Sequence, residues 1–139
     1  MANALYVAFR NGVQGSHATR VDLDADTIKA VLIDHGTDTP NVTTDDFYND
    51  ISAGLVGSMS SAFTSKTIGT VAAGMFDADN ITFTAVSGAS VESVNVLKDT
   101  GNSATSDLIA YYDTGTGLPV TPNGGDITVT WNASGLWTF

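Results

Sequence analysis

The side chains able to do chemistry are few, and their spacing is the first test of function. Two histidines occur, His17 in a polar stretch and His35 just after an apolar run. Neither has a neighbour in sequence that would orient it as a general base, so both read as solvated or packed imidazoles. No cysteine is present, which removes thiolate nucleophiles, thiolate metal sites and disulfides. Glu92 is the only glutamate. Paired-carboxylate hydrolysis would therefore have to use two aspartates, and no spacing singles out such a pair. Asp22, Asp24 and Asp26 form D-x-D-x-D, the start of a calcium loop in which alternate carboxylates offer oxygen ligands to a hard cation. The pattern then departs from an EF-hand, with Thr27 in place of the glycine and Ile33 in place of the twelfth-position acid. Turn-forming aspartates explain the cluster without an ion, and the set stands as a weak calcium candidate only. The glycines at 115, 117, 124 and 125 are not followed by Lys-Ser/Thr or by a helix pattern, so they read as turns and not as a phosphate cradle. The inventory predicts neither an enzyme nor a resident cofactor.

Composition narrows the partners. The chain has 139 residues, enough for one domain that buries roughly two-thirds of its unfolded surface. Net charge is −10, with five basic residues at Arg10, Arg20, Lys29, Lys66 and Lys98. Phosphate backbones need clustered cations, so nucleic acid is an unexpected partner, as is an anionic membrane. The opening MANALYVAFRNGVQG has no basic leader, and no run approaches the ~20 apolar residues that cross a bilayer.

The elements that must position these residues are strands. Short apolar runs separated by Gly, Asn, Asp and Thr predict an all-β, single-domain antiparallel sandwich or jelly-roll-like barrel. Strands are expected at 27–33, 64–71, 81–86, 91–98, 106–113, 127–131 and 136–139. In 81–85, Ile81, Phe83 and Ala85 share one face, and in 127–131 Ile127, Val129 and Trp131 do the same. The only helix expected is a single turn at 43–51, with Phe47 and Ile51 four apart. Residues 1–26 read as an N-terminal arm and loop, and 27–139 as the sandwich. Tyr111 and Tyr112 are adjacent in one strand, so one faces the core and the other faces away. Aromatics at a chain end imply docking. Leu5, Tyr6 and Phe9 are assigned to a contact with a neighbouring molecule. Trp137 and Phe139 dock either in the chain's own core, the favoured alternative, or against a neighbour, and they complete the candidate assembly interface.

Several segments together carry a resemblance. DTIKAVLIDH followed by DDFYNDI, then VNVLKDTGNSATSDLIAYYDTG and the closing GDITVTWNASGLWTF, resemble small virion structural proteins of tailed bacteriophages, of the capsid decoration (cement) type. The similarity spans most of residues 27–139, and the polar segment 11–26 departs from it. It implies a β fold, a homotrimer on the outer capsid surface, the major capsid protein as partner, and synthesis in the host cytoplasm. It transfers no functional residue. Alternatives are another virion role (tail tube, head–tail joining or baseplate) and a carbohydrate- or receptor-binding module that uses exposed aromatics.

Overall fold

A computed structural model describes residues 3–15 and 21–138. Its centre is a ladder of three strands, β2 (Ile28–Ile33), β7 (Ser93–Lys98) and β8 (Leu108–Tyr112). β2 and β7 pair in antiparallel register from Ile28↔Lys98 to Ile33↔Ser93. β8 adds to the other side of β7, with a register shift between Val96 and Leu97. The Val, Ile and Leu content of these runs suits strands covered on both faces. Accordingly Ala30, Val31, Leu32, Ile33, Val96 and Leu97 are all buried.

Two short strands complete this sheet in the order β1–β8–β7–β2–β3, where β1 is Ala4–Leu5 and β3 is Leu55–Val56. Beyond β3 the chain keeps following the β2 edge. Ser60 exchanges hydrogen bonds with Ala30 through its amide (2.9 Å) and its hydroxyl (2.9 Å), and Phe63 N donates to Ile28 O (2.8 Å). The β2 edge is thereby closed to other strands.

Two smaller sheets accompany the main one. β10 (Trp137–Thr138), β5 (Met75–Asp77) and β4 (Thr67–Ile68) form one in that order, and β6 (Ile81–Phe83) pairs with β9 (Ile127–Val129) in the other. Every described pairing is antiparallel. The fold is the expected small all-β domain with one short helix, sandwich-like, around a single hydrophobic cluster.

The helix is not where the sequence puts it. α1 spans Val7–Val13, inside the segment read as an arm, whereas 43–51 holds a turn, the antiparallel bridge of Phe47 with Asp107 and one 3-10 turn at Tyr48–Asp50, with a second following at Ser52–Gly54. VAFRNGV has weak intrinsic helix propensity, with Gly12, Asn11 and two valines. Tertiary contacts hold it: Phe9 is buried, and Val7 N donates to Val42 O (2.9 Å). At 43–51, side chains compete for the backbone. Asp50 Oδ2 accepts from Asp46 N (3.0 Å) and Phe47 N (3.1 Å), and Asp45 Oδ2 accepts from Asn41 N (2.7 Å). Residues 4–13 are therefore part of the body and not an appended arm. The expected strand at 64–71 shrinks to two residues because Ser65 (φ 54) and Gly69 (φ 73) take left-handed conformations on either side.

Folding also gathers three lysines that are dispersed in sequence. Lys29 Nζ lies 2.7 Å from Asp99 Oδ2, Lys98 Nζ lies 3.0 Å from Asp26 Oδ2, and Lys66 Nζ donates to Asp26 O. Each cation meets an oxygen where β2 begins and β7 ends, so the group fastens the ends of the ladder. The Lys29 ammonium and the Gly101 amide hold the Asp99 carboxyl below the usual aspartate range. A lowered folded-state pKa contributes stability above the unfolded value and loses it as pH falls through the folded value. Asp99→Asn is expected to cost about 1 kcal/mol or less near neutral pH, because the pair is partly solvated. Denaturant melts across pH should show the gap closing in acid. A gap of constant size would contradict the assignment.

Candidate functional site

Directly paired residues in an antiparallel sheet share a face, so the ladder sorts its side chains into two sets. Val31, Ile33, Ser93, Asn95 and Tyr111 lie on one face, and Leu32, Val94 and Tyr112 on the other. The tyrosine pair splits as the sequence predicts, but both rings are covered: Tyr111 is buried and Tyr112 is half-buried.

The first face carries a connected polar chain. Tyr6 OH donates to Asn95 Oδ1 (2.7 Å), Asn95 Nδ2 donates to Ser93 Oγ (3.0 Å), and His35 Nε2 lies 2.9 Å from the same Ser93 Oγ. His35 also stacks on Tyr111, with ring centroids 6.1 Å apart. Burial, with Asp45, Tyr111 and Asp38 nearby, pushes the Tyr6 phenol far above its ordinary value, so it remains a neutral donor. His35 thus acquires a serine partner 58 positions away that sequence proximity could not reveal. A His–Ser contact is the geometry of an activated nucleophile. Here, though, Ser93 has no exposed surface and its oxygen already accepts from Asn95. In this structure the pair supports the core.

The aspartate candidates are also engaged. Asp22 Oδ1 accepts from Asp24 N (3.1 Å) and Ala25 N (3.0 Å), Asp26 Oδ2 accepts from Asp22 N (2.7 Å), and the same oxygen holds Lys98. This is a self-capped turn tied to the ladder. Among the described residues no group of three His, Cys, Asp or Glu side chains is arranged to hold a metal ion. Nor is any described helix long and apolar enough to cross a membrane. His17 and Phe139 lie outside the described residues.

The expected assembly residues have a different location. Tyr6 (0% exposed), Phe9 (5%) and Trp137 (8%) belong to the chain's own core, and Leu5 packs against it as a member of β1. Trp137 stacks on Phe76 (4.6 Å) and meets Phe9 edge-on (6.4 Å). Of the alternatives for these residues, the tryptophan takes the intramolecular one, and Tyr6 and Phe9 are not presented to a neighbour. Trp137 Nε1 is buried with no hydrogen-bond partner among the described residues.

What sequence reasoning missed is a groove of about 1000 Å³ on the second face of the ladder. Leu32, Val94 and Tyr112 contribute from the ladder, and residues 126–132 and 134–138 line it as two nearly continuous runs. Alternate side chains of a strand point to opposite sides, and Thr128 Oγ1 lies 3.0 Å from Thr82 Oγ1 across the β6–β9 pair. All three β9 residues, Ile127–Val129, line the groove from both faces of the strand, so β9 turns an edge toward it. Among the described residues β9 pairs only with β6 and β10 ends its own sheet, so both strands border the groove with an unpaired side. The chain turns between them at Gly135, whose φ of 96 suits glycine. An added Cβ there would meet Met75 at 2.5 Å.

The groove's aromatics are pinned. Tyr112 OH donates to Leu136 O (3.0 Å), Trp131 Nε1 donates to Asp79 O (3.1 Å), and Trp131 packs on both Tyr112 (5.6 Å) and Phe63 (5.7 Å). Asp126 supplies the only carboxylate of the lining, which holds no lysine or arginine. Its signal in sequence was slight, since the lining is assembled from Asn3 through Thr138.

Elsewhere, the β4–β5 hairpin projects an apolar tip. From Thr67 to Phe76 there is no charged residue, residues 68–74 are exposed, and Ile68 (54%) and Val71 (47%) are two of the most exposed large hydrophobics. No family model matches this sequence, and no curated protein matches it.

Proposed function

We propose that this protein is a virion structural protein of the capsid decoration type, a homotrimer that binds the outer head surface through the major capsid protein and stabilises capsomer contacts. The resemblance of residues 27–139 to that group is the starting point. The observation that carries the reading further is the pair of unpaired strand edges beside an uncharged groove. Such edges add another chain through main-chain hydrogen bonds, a mode that suits assembly. The rest of the molecule is consistent with a passive, rigid role: polar side chains form turns and a core network, and the acidic surface repels packaged DNA. Many copies on a lattice convert weak individual contacts into firm attachment through effective concentration.

A second reading, a carbohydrate-binding module, is supported by Tyr112 and Trp131 in a groove rimmed by threonine and asparagine. It is the weaker one, because these rings pack on one another and on Phe63, which reduces the face a sugar would stack on.

The full chain, mixed with expanded heads lacking it, is expected to co-sediment to a fixed saturating ratio and to raise the heads' melting temperature. Heads that neither bind it nor gain stability would overturn the decoration role. The core network is testable on the isolated protein. Tyr6→Phe leaves the buried Asn95 Oδ1 without its donor and is expected to cost about 1–3 kcal/mol in chemical denaturation. A neutral substitution would show that the network is dispensable.

A further inference from the structure

We infer that the groove between β9 and β10 receives the β4 edge and hairpin tip of a second copy of this chain. The inference rests on the assembly reading above and names the two surfaces that would meet.

The acceptor is defined by geometry. β9 (Ile127–Val129) has an unpaired side among the described residues, and its neighbour across the groove, β10, is likewise terminal in its sheet. Main-chain donors and acceptors on such an edge are satisfied best by another strand. The donor is defined by exposure and order. β4 is the last strand of β10–β5–β4, so its outer side is also unpaired, and it leads into the apolar tip carrying Ile68 and Val71. β4 against β9 would join the three-stranded sheet of one copy to the two-stranded sheet of the next. Ile68 and Val71 would then leave water against Leu118, Val129 and Trp131 of the groove.

Charge selects a second copy as the occupant. Chains of net charge −10 repel one another, so self-association needs surfaces where that charge is absent. The hairpin has no charge between Lys66 and Asp77, and the groove has one carboxylate, which accepts the Ala85 amide (2.9 Å). The two surfaces match in being neutral, in mixing apolar and hydroxyl groups, and in presenting a free strand edge. They are also different surfaces of one chain, so the contact is head-to-tail, the class of interface that forms a ring, as a trimer requires, when its rotation closes.

Sedimentation velocity on the full chain over a dilution series tests this without any capsid. The wild type is expected to self-associate. Ile68→Asp with Val71→Asp, a damaged donor, and Thr130→Asp, a damaged acceptor, are each expected to weaken association by more than about tenfold. All three positions are exposed, so thermal melts should show the variants folded. Mixing the two variants leaves one intact donor and one intact acceptor, and a one-to-one heterodimer should appear. A monomeric wild type, variants that associate undiminished, or a mixture that stays monomeric would each overturn the inference. So would a glycan-array signal that Thr130→Asp abolishes in a protein that remains monomeric. Head binding by a monomeric wild type would remove this interface and leave the decoration role standing.

Discussion

The antiparallel register between β2 and β7 is the constraint on which the other elements rely. Six consecutive pairs, Ile28↔Lys98 through Ile33↔Ser93, place the side chains of Val31 and Asn95 on one face and those of Leu32 and Val94 on the other. A slip of one residue would exchange the two faces. Asn95 and Ser93 would then lose the Tyr6 and His35 contacts, and Leu32 and Val94 would no longer floor the groove. Both ends of the register are fastened: Lys29–Asp99 and Lys98–Asp26 at one end, and Glu92 N to Ile33 O (3.0 Å) with Glu92 Oε2 accepting from His35 N (2.9 Å) at the other. Hydrophobic burial favours collapse, whereas the buried polar chain favours one alignment over its neighbours.

The two faces of the ladder differ in how complete they are. On the Asn95 face, Tyr6 inserts from the segment linking β1 to α1, and the polar atoms find partners within the chain. On the Leu32 face, two small sheets meet without merging. β9 and β10 are joined by residues 130–136, which turn through Gly135, yet they belong to different sheets and leave a gap between them. Natural sheets commonly protect such edges with charge, proline or a covering loop. The main sheet does so along β2, where residues 60–63 run beside it. β4 and β9 carry no charged residue. That contrast within one molecule supports the proposed assembly role of the unpaired edges.

Much of the central sheet was legible in the sequence, and the reason is burial. Runs such as TIKAVLI and VNVLK are apolar and β-branched because both faces are covered, so 27–33 and 91–98 coincide closely with β2 and β7. Short elements were not legible, because their existence depends on distant partners. α1 forms where propensity is poor because Phe9 and the Val42 carbonyl are available. β3 and β5 are two and three residues long and carry no period to detect. The aromatic ends signalled docking: Trp137 takes the intramolecular site favoured for it, whereas Tyr6, assigned to a neighbouring molecule, also docks inward because its partner Asn95 lies far along the chain. The groove was invisible because residues far apart in the chain supply its lining, and backbone edges leave no side-chain signature.

The central claim is a stable ladder flanked by strands with spare edges. Native-state amide hydrogen exchange on the dilute, unassociated protein tests it most directly, because it reads each edge separately. The account predicts that central amides of β2 and β7 exchange only through global unfolding, while the outward-facing amides of β9 and β4 exchange orders of magnitude faster. β9 amides as slow as those of β7, or β2 amides as fast as the hairpin tip, would contradict it.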